Sequence, residues 1–355
     1  MSSTPVQAAM EYAWNVVRPR AQEIDQSESA LREAFEGLFA LHAMAVRRPS
    51  RFGTPEASEQ EFRDLQEMLA RCSGTLAFLT TQHQSAVGMI AKSPNEALSE
   101  RLLAGMSGGE IRMGVGFSQL RRTGPPIMRA TPDGDDGYVL SGTVPWITGE
   151  SFYRQFVVGA TLDDGRSLLG VMPFASIEGV VELSAPMRLA AMEPARTVSA
   201  RINGYRMPAE DVVNIVPGDW LTRNDKINAA LHGYFSLGCA RAGLDIVEER
   251  LAARSLSHLK EIWDRLDAEL LACRDQMLEV QAASSFEEKV RVRAWAIDLA
   301  VRCAHAAVTA SSGAANSLGH PAQRVFRESI VFTVSAQTEH VMTETLRRIA
   351  GRGAQ

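Results

Sequence analysis

The order of apolar and polar residues divides the chain into three stretches. Residues 137–172 carry the densest β signal. Tyr138, Leu140 and Gly142 alternate there with Val139, Ser141 and Thr143, the period of a strand with one buried face. Residues 156–160 and 168–172 are short apolar runs suited to interior strands, and Asp163-Asp164-Gly165 between them is a hairpin signal. On either side of this region apolar residues recur every three or four positions. The pattern is a β block set between two helical blocks.

In the first helical block, Ala9, Tyr12, Ala13, Val16 and Val17 predict a helix over 5–25, with a kink or restart at Pro19. A second helix fits 28–43, and residues 49–55 are a turn. Ser58 with Glu61 three positions on forms a capping box for a helix over 59–72. Helices over 74–89 and 94–106 follow. Strands are then expected at 114–117, in the central stretch, at 180–181, 198–202 and 212–213, with 121–126 as a loop. Several short strands with no helix between them predict a β-barrel or sandwich rather than a parallel α/β sheet. From Trp220 onward, long helices over 225–254, 258–282, 286–312 and 321–350 predict a four-helix bundle. Residues 287–293, the most charged run, read as a solvated helix face. The expected fold class is α+β and multi-domain: an N-terminal helical domain over 1–111, a middle β domain over 112–216 and a C-terminal four-helix bundle over 217–355.

Composition adds exclusions. A net charge of −5 over 355 residues gives no reason to expect nucleic acid or an anionic membrane as partner. The four cysteines, Cys72, Cys239, Cys273 and Cys303, show no close metal-binding spacing and read as reduced, buried thiols. No apolar run is long enough for a membrane helix and no signal-peptide core is visible, so a cytoplasmic location is expected.

Short motifs spread over some 300 residues then carry a resemblance. Pro19, Ala21 and Asp25, Phe52-Gly53, Gly108-Gly109-Glu110 leading to Gly116-Phe117-Ser118, and residues 137–142 followed by Trp146-Ile147-Thr148 stand in order. Met207-Pro208-Ala209, Gly238 with Ala240, Leu244 and Asp245, and Pro321 with Arg324, Arg327 and Glu328 continue it. This series resembles the acyl-CoA dehydrogenase superfamily of flavoproteins.

The resemblance implies FAD held between the β domain and the bundle. Trp146 and Thr148 would lie against the flavin ring, Ser118 and Thr338 would touch it, and Arg254 would reach the pyrophosphate. Arg254 is followed by Ser255-Leu256-Ser257 where relatives have Phe-Gly, and residues 312–315 reduce a glycine-rich motif, so FMN is possible as well. The usual catalytic glutamate position falls on Ala336, and the alternative position on the first bundle helix falls near Asn228. Neither can take a proton. His340, one helical turn beyond Ala336, and His232, one turn beyond Asn228, are the candidate bases, with Asp225 and Glu339 behind them. The implied function is a flavin-dependent oxidoreductase acting on a small molecule, an acyl thioester or a related compound, without the glutamate base. A monooxygenase on the same fold and a non-catalytic binding or assembly relative remain as alternatives. A homodimer or homotetramer is implied as well.

Overall fold

Thr4 and Gln7 cap each other's backbone at the start of α1 (Pro5–Tyr12). The computed structural model describes residues 4–53, 56–134, 137–253, 257–282 and 285–351. The helix expected over 5–25 is interrupted as Pro19 requires, since proline has no N–H to donate. A π turn (Ala13–Val17) and a 3₁₀ turn (Arg18–Arg20) precede α2 (Ala21–Gln26). Ser27 caps α3 (Glu28–Ala40), which stops short of 43 because His42 adopts a left-handed conformation at φ 55°. The expected capping box opens α4 (Glu59–Cys72): Glu61 N–H donates to Ser58 Oγ at 3.2 Å, and Ser58 N–H donates to Glu61 Oε2 at 2.8 Å. α5 (Gly74–Ala91) and α6 (Glu96–Met106) complete the block.

Eight strands follow: β1 (Met113–Gly116), β2 (Met128–Pro132), β3 (Gly137–Thr148), β4 (Gln155–Thr161), β5 (Ser167–Pro173), β6 (Val181–Leu183), β7 (Thr197–Pro208) and β8 (Val212–Val216). They form one sheet in the order β6-β7-β3-β2-β4-β5-β8, with β1 paired in parallel to β4. β2 was not read from the sequence, because its one buried alternation is short and ends in Pro132. The sheet curls over on itself, so that Met207 of β7 packs directly on Gly170 of β5 across the strands between them. A side chain at Gly170 would have no room there. The hairpin expected at 163–165 joins β4 to β5, with Gly165 N–H donating to Leu162 O at 3.0 Å.

The C-terminal part contains α7 (Trp220–Ile227), α8 (Gly233–Ala253), α9 (Lys260–Ala282), α10 (Phe286–Ser311), α11 (Pro321–Val334) and α12 (Glu339–Gly351). Two of the four expected long helices are broken. Residues 228–232 form a turn between α7 and α8, and 335–338 separate α11 from α12, with Ala336 at φ 45°. Hence the one-turn helical spacings from Asn228 to His232 and from Ala336 to His340 do not exist in the fold. The reading of 287–293 as a solvated face is also corrected. Glu287, Glu288 and Arg291 face water, but Lys289 and Arg293 are buried. Four residues apart, those two share a face with Val290 and Ile297, which the helical period turns inward.

Three polar links join the blocks. His83 on α5 accepts the Met113 N–H through Nδ1 at 3.1 Å, and its Nε2 lies 3.0 Å from Met106 O. Arg327 on α11 pairs with Asp25 on α2. Glu328 binds Arg324 Nη1 at 2.8 and 2.9 Å and accepts the Gly74 N–H at 3.1 Å. Among the described residues no helix is long and apolar enough to cross a membrane, and no cluster of side chains could hold a metal ion.

Candidate active site

The end of β3 is irregular where Trp146-Ile147-Thr148 stands. Val144 pairs with Ala200 and Ile147 with Val198, so three residues of β3 advance against two of β7. Such a bulge re-aims side chains. Trp146 is turned outward and is 51% exposed, while Ile147 and Thr148 are buried. A large indole left half in solvent at an irregular strand end is a face without a protein partner. Thr148 is fixed from behind, its Oγ1 2.9 Å from Thr197 Oγ1 on β7.

Ser118 opens a 3₁₀ turn (Ser118–Arg121) that follows β1 and packs on β3. Its Oγ is buried and has no hydrogen-bond partner among the described residues. The turn is held by Gln119, whose Nε2 donates to Gly116 O at 3.1 Å and Gly159 O at 2.7 Å. Arg121 closes it with a two-bond pair to Asp225 on α7 at 2.7 and 2.8 Å. Asp225, one of the weaker base candidates, is therefore committed to an arginine.

Arg293 is the residue that sequence reasoning missed. It is 3% exposed and donates to three carbonyls: Ala229 O at 3.3 Å, Ser335 O at 2.6 Å and Ala336 O at 3.1 Å. One guanidinium thus holds both the α7–α8 turn and the α11–α12 break. Burial, with Arg121 nearby, lowers its pKa to about 10 despite the opposing pull of Asp225. The signal was present in the phase of α10, but the surrounding charges hid it.

His232 lies in the α7–α8 turn. Burial first, then the charges of Arg293 and Arg121, push its pKa down to about 3. Such an imidazole is neutral at working pH and holds a proton too weakly to be an effective general base. Its Nδ1 is buried without a partner. Phe235 stands 6.0 Å away, ring centre to ring centre, and stacks on Phe332 of α11 at 5.8 Å.

The other candidates lie apart from this cluster. His340 is exposed in the first turn of α12, edge-on to Phe286 at 5.1 Å, and no hydrogen bond or ring contact among the described residues joins it to His232. Glu339, also exposed, begins the same helix. Thr338 accepts the Val341 N–H at 3.4 Å, so its hydroxyl serves the start of α12. Arg254 lies outside the described residues.

An outward indole, a buried hydroxyl held from behind and an unpartnered buried hydroxyl suit the face and edge of a planar heteroaromatic group. Donors of that kind adjust a flavin's electronics, so the residues present fit such a cofactor.

Comparison with known proteins agrees in fold. Residues 5–110 match the family described as acyl-CoA dehydrogenase, N-terminal domain. A 3-sulfinopropanoyl-CoA desulfinase of Paraburkholderia xenovorans is 21% identical over 360 aligned positions, covering 95% of this chain and 92% of that protein. Glutaryl-coenzyme A dehydrogenase, solved with glutaryl-CoA, superposes with a TM-score of 0.80 at 16% identity, covering 98% of this chain and 94% of that one. KijD3, solved with FMN and a dTDP-linked amino keto sugar, gives a TM-score of 0.76 at 19% identity, over 99% and 97% of the two chains. The N-terminal part of this chain thus matches the acyl-CoA dehydrogenase N-terminal domain, and the acyl-CoA dehydrogenase fold runs through the rest of its length.

Proposed function

We propose that the protein is a flavin-dependent oxidoreductase acting on an acyl thioester or a related small molecule, without a glutamate base. The observation that carries this reading is the bulged end of β3, which leaves Trp146 facing outward beside the buried Thr148. In this reading FAD or FMN supplies two-electron redox chemistry. Trp146 covers the ring face, Thr148 and Ser118 offer hydroxyls to its polar edge, and the curled sheet excludes water behind them. The names of the desulfinase and of glutaryl-CoA dehydrogenase support a thioester substrate. KijD3 with FMN supports the smaller flavin.

At the α11–α12 break Ala336 has no titratable group, and His232 is too weak a base to stand in. That deficit favours, as a second reading, a monooxygenase on the same fold, whose chemistry does not begin with loss of an α-proton. Self-association belongs to the proposal too. Phe326, Ile330 and Val334 on α11 and Met342, Leu346 and Ile349 on α12 form exposed apolar stripes at helical spacing. The four thiols are buried and unpaired, in keeping with a reducing cytoplasm.

The test is a titration of the flavin-free protein with FAD and with FMN, read by flavin fluorescence. Affinity weaker than roughly 100 μM for both would overturn the oxidoreductase reading and leave a binding or assembly role.

A further inference from the structure

Nδ1 of His232 is buried with no hydrogen-bond partner among the described residues. Native structures leave few such atoms unpaired, and those they leave commonly meet a ligand or a water. Two charges face this ring, Arg293 on α10 and Arg121 in the turn after β1, and Asp225 on α7 faces Arg293. Asp225 pairs directly with Arg121 and also attracts Arg293, so one carboxylate serves two guanidiniums. No carboxylate among the described residues forms an ion pair with Arg293, and its hydrogen bonds go to backbone carbonyls. One buried positive charge is therefore left beside a neutral imidazole. Phe235 and Phe332 form an apolar wall on the same side of the bundle, which weakens screening by water and strengthens any charge pairing there.

A buried cation that must share one carboxylate with a second arginine is unfavourable, and an anion is the group that relieves it. The geometry points to an oxyanion site for the substrate, in which a group of the carboxylate class lies against His232 Nδ1 with Arg293 as its counter-charge. This names the substrate class of the site proposed above and rests on that reading. The bound anion also favours an N–H on Nδ1, because a negative neighbour raises the proton affinity of the ring.

The probes are propanoate and its uncharged isostere propanamide, added to the full-length protein both with flavin and without it. Binding is read by calorimetry and by the ¹⁵N resonances of the imidazole. Propanoate should bind at least tenfold more tightly than propanamide and shift the His232 resonances saturably. Arg293→Met and His232→Ala should each reduce that preference to less than about threefold. Arg188→Met, at a surface position 91% exposed, should leave it intact. Should Arg293→Met fail to fold, the wild-type resonance shift and His232→Ala decide the matter. Equal binding of the two probes, no propanoate binding, or a preference that survives His232→Ala would each overturn the inference. Discrimination that persists in a protein unable to bind flavin would sustain the oxyanion site while removing the flavin reading.

Discussion

Glu328 accepts the backbone N–H of Gly74 at 3.1 Å, with its carboxylate also bound to Arg324 and its side chain fully buried. The contact joins α11 to the first turn of α5, 254 residues apart in the chain. A Cβ on Gly74 would come within 2.7 Å of Glu328 Cδ, so the approach depends on glycine. Breaking one side of a buried ion pair strands its partner, at a cost of about 3–5 kcal/mol. Glu328→Ala should therefore lower stability by that order in urea denaturation. A loss under about 1 kcal/mol would mean that Arg324 finds other partners when Glu328 is gone.

Two histidines, the fully buried His83 and the partly buried His232, set an acid limit. His83 and His232 have pKa values near 4 and 3, held down chiefly by burial. In the unfolded chain both return to about 6.5. The unfolded state therefore binds more protons between pH 6.5 and the folded values, and stability is complete above 6.5 and falls as pH drops through that window. Each histidine contributes up to about 1.4 kcal/mol per pH unit. Urea midpoints measured between pH 7 and pH 5 should fall accordingly, and His232→Asn should reduce the slope by one proton. A slope unchanged by that substitution would mean that His232 titrates in the folded protein as it does in the unfolded chain.

Trp146 and Thr148 separate flavin binding from folding. Because the indole is half exposed, Trp146→Ala should change the unfolding midpoint little, since exposed positions seldom matter by more than about 0.5 kcal/mol. It should nevertheless weaken flavin binding about tenfold or more. Thr148→Val removes the bond to Thr197 along with the hydroxyl, so both readouts should move. A Trp146→Ala protein that binds FAD and FMN like the wild type would remove this residue from the site.

Much of the fold was legible because local chemistry and tertiary structure agree. The Ser58–Glu61 box, the kink at Pro19 and the Asp-Asp-Gly hairpin are each decided by a few adjacent residues. What stayed hidden depends on distant partners. No local rule pairs Asp25 with Arg327. The breaks at 228–232 and 335–338 are held by Arg293, which comes from a third helix, so apolar spacing runs through them without warning. Of the candidate site, the strand motif Trp146-Ile147-Thr148 stands in sequence, whereas Arg121, His232 and Arg293 come together from three separate segments.

The exposed stripes on α11 and α12 make an assembly test direct. Light scattering at micromolar concentration should return a dimer or tetramer of the 38.7 kDa chain. Closed two-fold assemblies are the common form of soluble oligomers. Combining Ile330→Glu with Leu346→Glu, both exposed in the isolated chain, should shift the population to monomer without unfolding it. A wild-type monomer would sink the expectation.

Ala336 gives the sharpest functional test. Desaturating a thioester removes a weakly acidic α-proton, and a positioned base is typically worth 10²–10⁴-fold in such a step. Ala336 sits in the α11–α12 break with its carbonyl bound to Arg293. Its side chain cannot take a proton, and His232 is held neutral with a pKa near 3. Short, medium and long acyl-CoAs should therefore give little turnover with an artificial electron acceptor, even in flavin-saturated protein. Ala336→Glu adds a carboxylate at a backbone conformation, φ 45°, that already carries an L side chain, so it introduces the base with little new backbone strain. It should raise turnover at least tenfold if the flavin and thioester reach this break. Robust turnover of a straight-chain acyl-CoA by the wild type would show that another group supplies the base. His340→Ala would then be the first variant to measure, because that imidazole is exposed in the first turn of α12.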